Sequence, residues 1–216
     1  MIYFDSGATT LEKPRAVRCA MARAVNTMSS PGRGSHQATQ LAEETDYACR
    51  AAAAKLFGVE DESNVVFTSN ATHGLNIAIH TLVQPGSRVV ISGYEHNAVT
   101  RVLHHFEQLG QITVTELTVS ESLEYDMVRI RYQFDAIRPD LVIVSHASNV
   151  IGLVDPVEDI FALSKEYGAV TLVDMAQTAG LVDLNVGLET VDYAVFAGHK
   201  TLLGPTGISG FLMSPT

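Results

Sequence analysis

The sequence predicts an α/β fold, a mostly parallel sheet covered by helices on both faces. Three observations predict it. From Val65 onward, short β-rich runs alternate with helix-length stretches, and such alternation implies right-handed crossovers between parallel strands. Several runs, such as Leu141-Val142-Ile143-Val144, are apolar throughout, as strands buried on both faces are. Hydrophobic residues make up 46% of the 216, enough for the core of one large domain, or of one domain and part of a second.

The first 60 residues read as an N-terminal helical segment, residues 61–216 as the large domain. A helix over Pro14–Met28 opens on a proline suited to a first helical turn. The run Ser29-Ser30-Pro31-Gly32-Arg33-Gly34-Ser35 is a loop. Thr39–Phe57 is alanine-rich and stops at Gly58, a C-cap. The predicted strands are Val65–Thr68, Arg88–Ser92, Ile112–Thr118, Leu141–Ser145, Val170–Asp174, Tyr193–Ala197 and Gly207–Met213. Between them the pattern gives helices over Thr72–Val83, Asn97–Leu109, Met127–Phe134 (the weakest) and Val157–Tyr167.

Charge and composition exclude several classes of function. With 14 Lys and Arg against 24 Asp and Glu, the net charge is −10, so no basic field exists to attract nucleic acid. No apolar run is long enough to span a bilayer, and Met1–Thr10 lacks the layout of a signal peptide. A soluble, cytoplasmic protein is expected. Cys19 and Cys49 are too few for a disulfide scaffold or a thiolate zinc site. Both fall in predicted helices and are expected to be buried or helix-face thiols. No His-Glu-x-x-His, Gly-x-Ser-x-Gly or post-strand Gly-x-Gly-x-x-Gly occurs, and no histidine pair has metal-ligand spacing.

Sheets of this kind bind ligands at the carboxyl ends of their strands, so the residues there are the candidates. Ser69-Asn70-Ala71-Thr72 opens a helix after the first strand. That makes a phosphate seat from Ala71 and Thr72, or an ordinary N-cap at Thr72. His96, after the second strand, is either a satisfied structural histidine or a flat ring for a planar ligand. Asn149, after Leu141–Ser145, either caps a turn or donates to a ligand oxygen. Asp174 directly ends an apolar strand, where a carboxylate is costly to bury without a cation; an N-cap is the simpler alternative. Gly198-His199-Lys200 follows the next strand and lacks the glycine spacing of a P-loop. A lone lysine, a lone buried acid, a flat histidine, an amide and a helix N-terminus on one sheet edge match what pyridoxal phosphate (PLP) needs. Lys200 suits a Schiff base with its aldehyde, and Asp174 suits its ring nitrogen.

The segments EHNAV, SHASNVIGLVDPV, VDMAQTAG and FAGHKTLLGPTGISGF resemble class V aminotransferase-type PLP enzymes, and most specifically the cysteine desulfurase and selenocysteine lyase group. IYFDSGATTLEKP resembles that group's N-terminal segment. The resemblance implies the large domain of a fold-type I PLP-dependent transferase, usually a homodimer. It implies that Lys200 anchors the cofactor and moves the substrate α-proton, and that Asp174 pairs with the pyridine nitrogen. Gln177 would bond the phenolic oxygen, His96 would stack on the ring, Thr72 and His199 would contact phosphate, and Asn149 would face cofactor and substrate. Ala197 stands where the group often has a further phosphate-binding hydroxyl. The family also continues past the position of Thr216 into a small domain that carries a carboxylate-binding arginine and, in the desulfurases, the sulfur-accepting cysteine. The expected reaction converts L-cysteine to alanine and an enzyme persulfide, with a sulfur-acceptor protein as a further partner. The alternatives are a class V aminotransferase or lyase for another amino acid, and a PLP-binding fragment without catalysis.

Overall fold

Apolar side chains that alternate along a buried strand must be covered on both sides, and the strands here are built that way. Val142 and Val144 face one apolar cluster, Leu141 and Ile143 the other. The structure, a computed structural model, describes residues 2–214. Seven strands form one sheet: β1 (Val65–Thr68), β2 (Arg88–Ile91), β3 (Thr113–Glu116), β4 (Leu141–Ser145), β5 (Val170–Asp174), β6 (Tyr193–Ala197) and β7 (Ser209–Met213). Their spatial order is β1-β7-β6-β5-β4-β2-β3.

From β6 to β3 all neighbours are parallel. Only β7 breaks the rule, running antiparallel to β6 and β1. The β6–β7 connection has no helix to carry the chain back across the sheet, so it folds over and returns the strand antiparallel. That fold needs Gly198, whose Cβ, were there one, would lie 2.6 Å from the Ile208 carbonyl oxygen.

Among the described residues six α-helices accompany the sheet: α1 (Arg15–Thr27), α2 (Gln37–Phe57), α3 (Ala71–Leu82), α4 (Asn97–Gln108), α5 (Met127–Ile137) and α6 (Val157–Glu166). Leu75 and Ile79 of α3 and Val99 and Leu103 of α4 cover one face. Phe57 of α2, Phe134 of α5 and Phe161 of α6 cover the other. Three predicted strands prove shorter. Ser92 falls outside the second, Ile112, Leu117 and Thr118 outside the third, and Gly207 and Ile208 outside the last; the Ser92 hydroxyl turns instead to a side chain in the following loop. Helix α2 starts earlier than predicted, because His36 accepts the Thr39 N–H as its N-cap. Cys19 and Cys49 lie in helices as predicted, and both are exposed, the helix-face alternative of that expectation. Among the described residues, no helix is long and apolar enough to cross a membrane.

Candidate active site

Parallel strands end their side chains at a common edge. The β4–β5 register sets Ser145 beside Asp174, and the β5–β6 register sets Asp174 beside Val195, five residues before Lys200. A cleft at this edge encloses about 540 Å³ of empty space, part of it open to solvent. Ala71, Thr72, His96 and Asn149 line it, and so do Asp174, Gln177, His199 and Lys200. Residues spread over 130 positions in sequence are thus brought to one place.

The N-terminus of α3 opens onto the cleft. The predicted cap is corrected: Asn70, not Thr72, is the N-cap, because its side-chain oxygen accepts the His73 N–H at 2.8 Å. Asn70 also takes the Gly74 N–H on its carbonyl. Among the described residues, the N–H groups of Ala71 and Thr72 find no acceptor. They are therefore donors at the positive end of a helix. Thr72 itself sits one residue inside that helix.

Asp174 is 6% exposed. Its Oδ1 accepts the Ala176 N–H at 2.8 Å, so it does cap the turn that follows. Burial nonetheless pushes its carboxyl above the ordinary range, against that bond and the fields of His96 and Lys200. Among the described residues it forms no ion pair. Lys200 is half-buried, and burial lowers its ammonium while Asp174 opposes the shift. Its Nζ has no hydrogen-bond partner among the described residues. A buried acid and a buried amine that do not bond each other leave room for a group between them.

His96 caps α4 through Nδ1, which accepts the Ala98 N–H at 3.1 Å, and its ring lines the cleft. This histidine is thus a satisfied cap whose ring also faces the cleft. The Asn149 amide is not consumed by its turn, because the Ser148 hydroxyl accepts the N–H groups of Val150 and Ile151. Gln177 Nε2 donates to the Gly7 carbonyl at 3.0 Å. His199 Nδ1 meets the Thr9 hydroxyl at 3.0 Å, and the His199 carbonyl accepts from Thr10 and Lys13. Burial first, then the charges of Lys200 and Lys13, keep this imidazole below its usual value.

The sequence reading missed Glu95. Its carboxylate turns inward onto Ser92 and Ser145, at the same edge as Asp174. The signal was present: an acid directly before His96, at the end of an apolar strand. It was hidden because neither serine that receives it is close in sequence to the other. The N-terminal segment's hold on His199 and Gln177 carries no local motif, since one hydroxyl or carbonyl serves as well as another.

This arrangement of a lysine after β6, an acid ending β5 and a helix N-terminus beside them is that of a PLP-binding large domain. The chain belongs to the aminotransferase class-V family, which matches residues 2–215 and whose enzymes are PLP-dependent. It is similar to a cysteine desulfurase of Nostoc sp., 35% identical over 96% of this chain and 52% of the relative. The cysteine desulfurase IscS of Anaeromyxobacter dehalogenans is 32% identical, with 96% and 51% covered. Among solved structures, the apo cysteine desulfurase from Thermococcus onnurineus NA1 superposes with a TM-score of 0.90 at 28% identity, over 99% of this chain and 53% of that one. A structure described as SspA in complex with cysteine gives 0.87 at 26%, over 99% and 61%. The chain spans about half the length of the curated relatives it matches.

The residues fit PLP on their own geometry. Among the described residues Asp174 is buried without an ion pair, the Lys200 amine has no hydrogen-bond partner, and two helix N–H donors have no acceptor.

Proposed function

We propose that this chain is the cofactor-holding part of a PLP-dependent cysteine desulfurase. Its N-terminal helical segment is 1–60 and its PLP-binding domain 61–216. The observation that carries the reading is the unbonded pair Asp174 and Lys200 on adjacent strand ends of one cleft. The desulfurase relatives favour L-cysteine as substrate over another amino acid.

Bound PLP supplies an electron sink for the bonds at a substrate's α-carbon. The chain's residues hold and steer it. Lys200 would hold it covalently, through an amine whose ammonium form burial disfavours. The same amine would be placed to move the proton at a substrate's α-carbon. Asp174 would keep a positive ring nitrogen in place with a buried negative charge. The N–H groups of Ala71 and Thr72 would hold phosphate oxygens. The His199 ring, with Nδ1 3.0 Å from the Thr9 hydroxyl, lines the cleft and would contact a phosphate oxygen. His96 covers a ring face, and Gln177 and Asn149 supply amides at the rim. The products are alanine and a sulfur atom passed to a thiol as a persulfide, then to an acceptor protein. A cytoplasmic homodimer fits the reading.

The experiment is to add PLP, reduce with borohydride and map the peptides. The expected result is a single adduct on Lys200, with alanine formed from L-cysteine by the whole enzyme. An adduct on Lys55 or Lys165 refutes the anchor. Amino transfer from another amino acid, without alanine from cysteine, makes the protein an aminotransferase instead.

A further inference from the structure

A second carboxyl group stands behind the first. Glu95, in the loop between β2 and α4, accepts three hydrogen bonds. The Ser92 hydroxyl reaches Oε1 at 2.7 Å, the Ser145 N–H reaches Oε1 at 2.6 Å, and the Ser145 hydroxyl reaches Oε2 at 2.9 Å. Ser145 is also the register partner of Asp174, and adjacent strands lie only about 4.8 Å apart. One serine thus bonds Glu95 and lies beside Asp174 in the sheet. Neither acid has an ion-pair partner among the described residues.

We propose that Glu95 and Asp174 act as one coupled carboxyl pair, which holds a shared proton while the cleft is free and gives it up when a cationic ring binds. Two buried carboxyls, one bonded to Ser145 and the other on the residue paired with it, do not both ionise readily. A pyridinium beside Asp174 supplies the missing positive charge, and both carboxylates then ionise. The proton goes to the ring nitrogen if that nitrogen arrives bare, and otherwise to solvent. Glu95 is thus a positioning residue: it acts on the ring through Asp174. The idea rests on the PLP reading above for its second half only.

The surroundings agree. Burial pushes Glu95 up to about 7, and the charge of Asp174 adds to this against the serine donors. The other groups around the pair are His96, Lys200, Tyr125, Asp155 and His146. His96 and Lys200 favour an ionised Asp174. Tyr125 donates to Asp155 at 3.1 Å and accepts from the Gly93 N–H. Burial raises Tyr125, and it raises Asp155 to about 6. His146, whose N–H donates to the Asp174 carbonyl, is lowered by burial. None of these offers Glu95 a bonded cation.

The sign of the pH effect follows from linkage. A carboxyl whose folded value exceeds its unfolded one binds its proton more tightly in the folded state. Its cost is absent below the unfolded value of 4.5, grows as pH rises, and is complete above about 7. The test has two arms. Urea unfolding of the PLP-free chain between about pH 5 and 8 should show stability falling with pH, and Glu95→Gln, an isosteric change, should flatten that fall. Calorimetry of PLP binding near pH 6, in buffers of different ionisation enthalpy, should show wild type releasing about one more proton per PLP than Glu95→Gln. Ser145→Ala keeps both acids and removes a donor to ionised Glu95, so it should move the falling limb to higher pH. This variant decides the matter if Glu95→Gln does not fold. Parallel stability curves overturn the pair, as does an unmoved limb in Ser145→Ala. Equal proton counts overturn its response to the cofactor. A chain that binds no PLP refutes the proposed function, while the first arm still judges the pair.

Discussion

The carboxyl edge of β4, β5 and β6 and the N-terminal segment before α2 meet at the same cleft but are held there by different forces. Strand β4 is buried along its whole length, so its position is set by apolar side chains packed from both faces. Helix α1 buries no residue at all, and its Val25 is 85% exposed. What holds the segment to the site is a set of hydrogen bonds: Thr10 and Lys13 to the His199 carbonyl, Thr9 to the His199 ring, Gln177 to the Gly7 carbonyl. The difference teaches that the site is half preformed and half latched. The acid and the lysine are fixed by the core, while the rim around them depends on bonds that exchange with water at little net cost.

The largest expected effect tests whether stability resides in the sheet layers alone. Phe134 is fully buried between α5 and the sheet. Phe134→Ala should cost about 3–5 kcal/mol in urea unfolding. Val25→Ala should stay within about 0.5 kcal/mol, as exposed positions do. A comparable loss from Val25→Ala would show α1 to be packed against something and would erase the contrast.

The same contrast explains what the sequence made legible. The strands Leu141–Ser145, Val170–Asp174 and Tyr193–Ala197 were readable to the residue, because an apolar run bounded by polar residues is a local signal. The edge residues were readable for the same reason: Asp174 ends a readable strand, and His96 and Lys200 come after one. The cap of α3 was not. Asn70 and Thr72 both suit a cap, and the choice depends on where the backbone turns. Glu95 was passed over because its partners Ser92 and Ser145 lie 50 or so positions apart and meet only through the β2–β4 pairing. The sequence left Cys19 and Cys49 open between buried and helix-face thiols, because a small apolar residue type says nothing about which helix face it occupies; the structure puts both on exposed faces.

A middle-sized effect sharpens the reading of the preformed half. His96 has two jobs, capping α4 and lining the cleft. His96→Phe and His96→Ala both lose the cap, so that cost cancels between them. Only Phe restores a flat surface against a planar ligand. A stacking contact is worth about 0.5–1.5 kcal/mol, so PLP titration should show the Phe variant binding roughly two- to thirteenfold more tightly than Ala. Equal affinities would leave His96 as a cap alone.

The smallest effect belongs to the latch. The Thr10 hydroxyl lies 2.6 Å from the Lys200 carbonyl and 3.0 Å from that of His199. The Thr10 N–H also reaches the His199 carbonyl, at 3.2 Å. Thr10→Val preserves shape and β-branching but removes the side-chain donor. The net loss for one such bond is about 1 kcal/mol, and since α1 buries nothing, the loss should appear as local opening rather than global unfolding. Amide exchange at Thr10 should therefore speed up roughly fivefold, and early cleavage by a protease should fall within residues 2–14. The urea midpoint should not move. Should it fall in step with the exchange rate, the N-terminal segment and the sheet edge open together, and the division between a packed half and a latched half of the site is wrong.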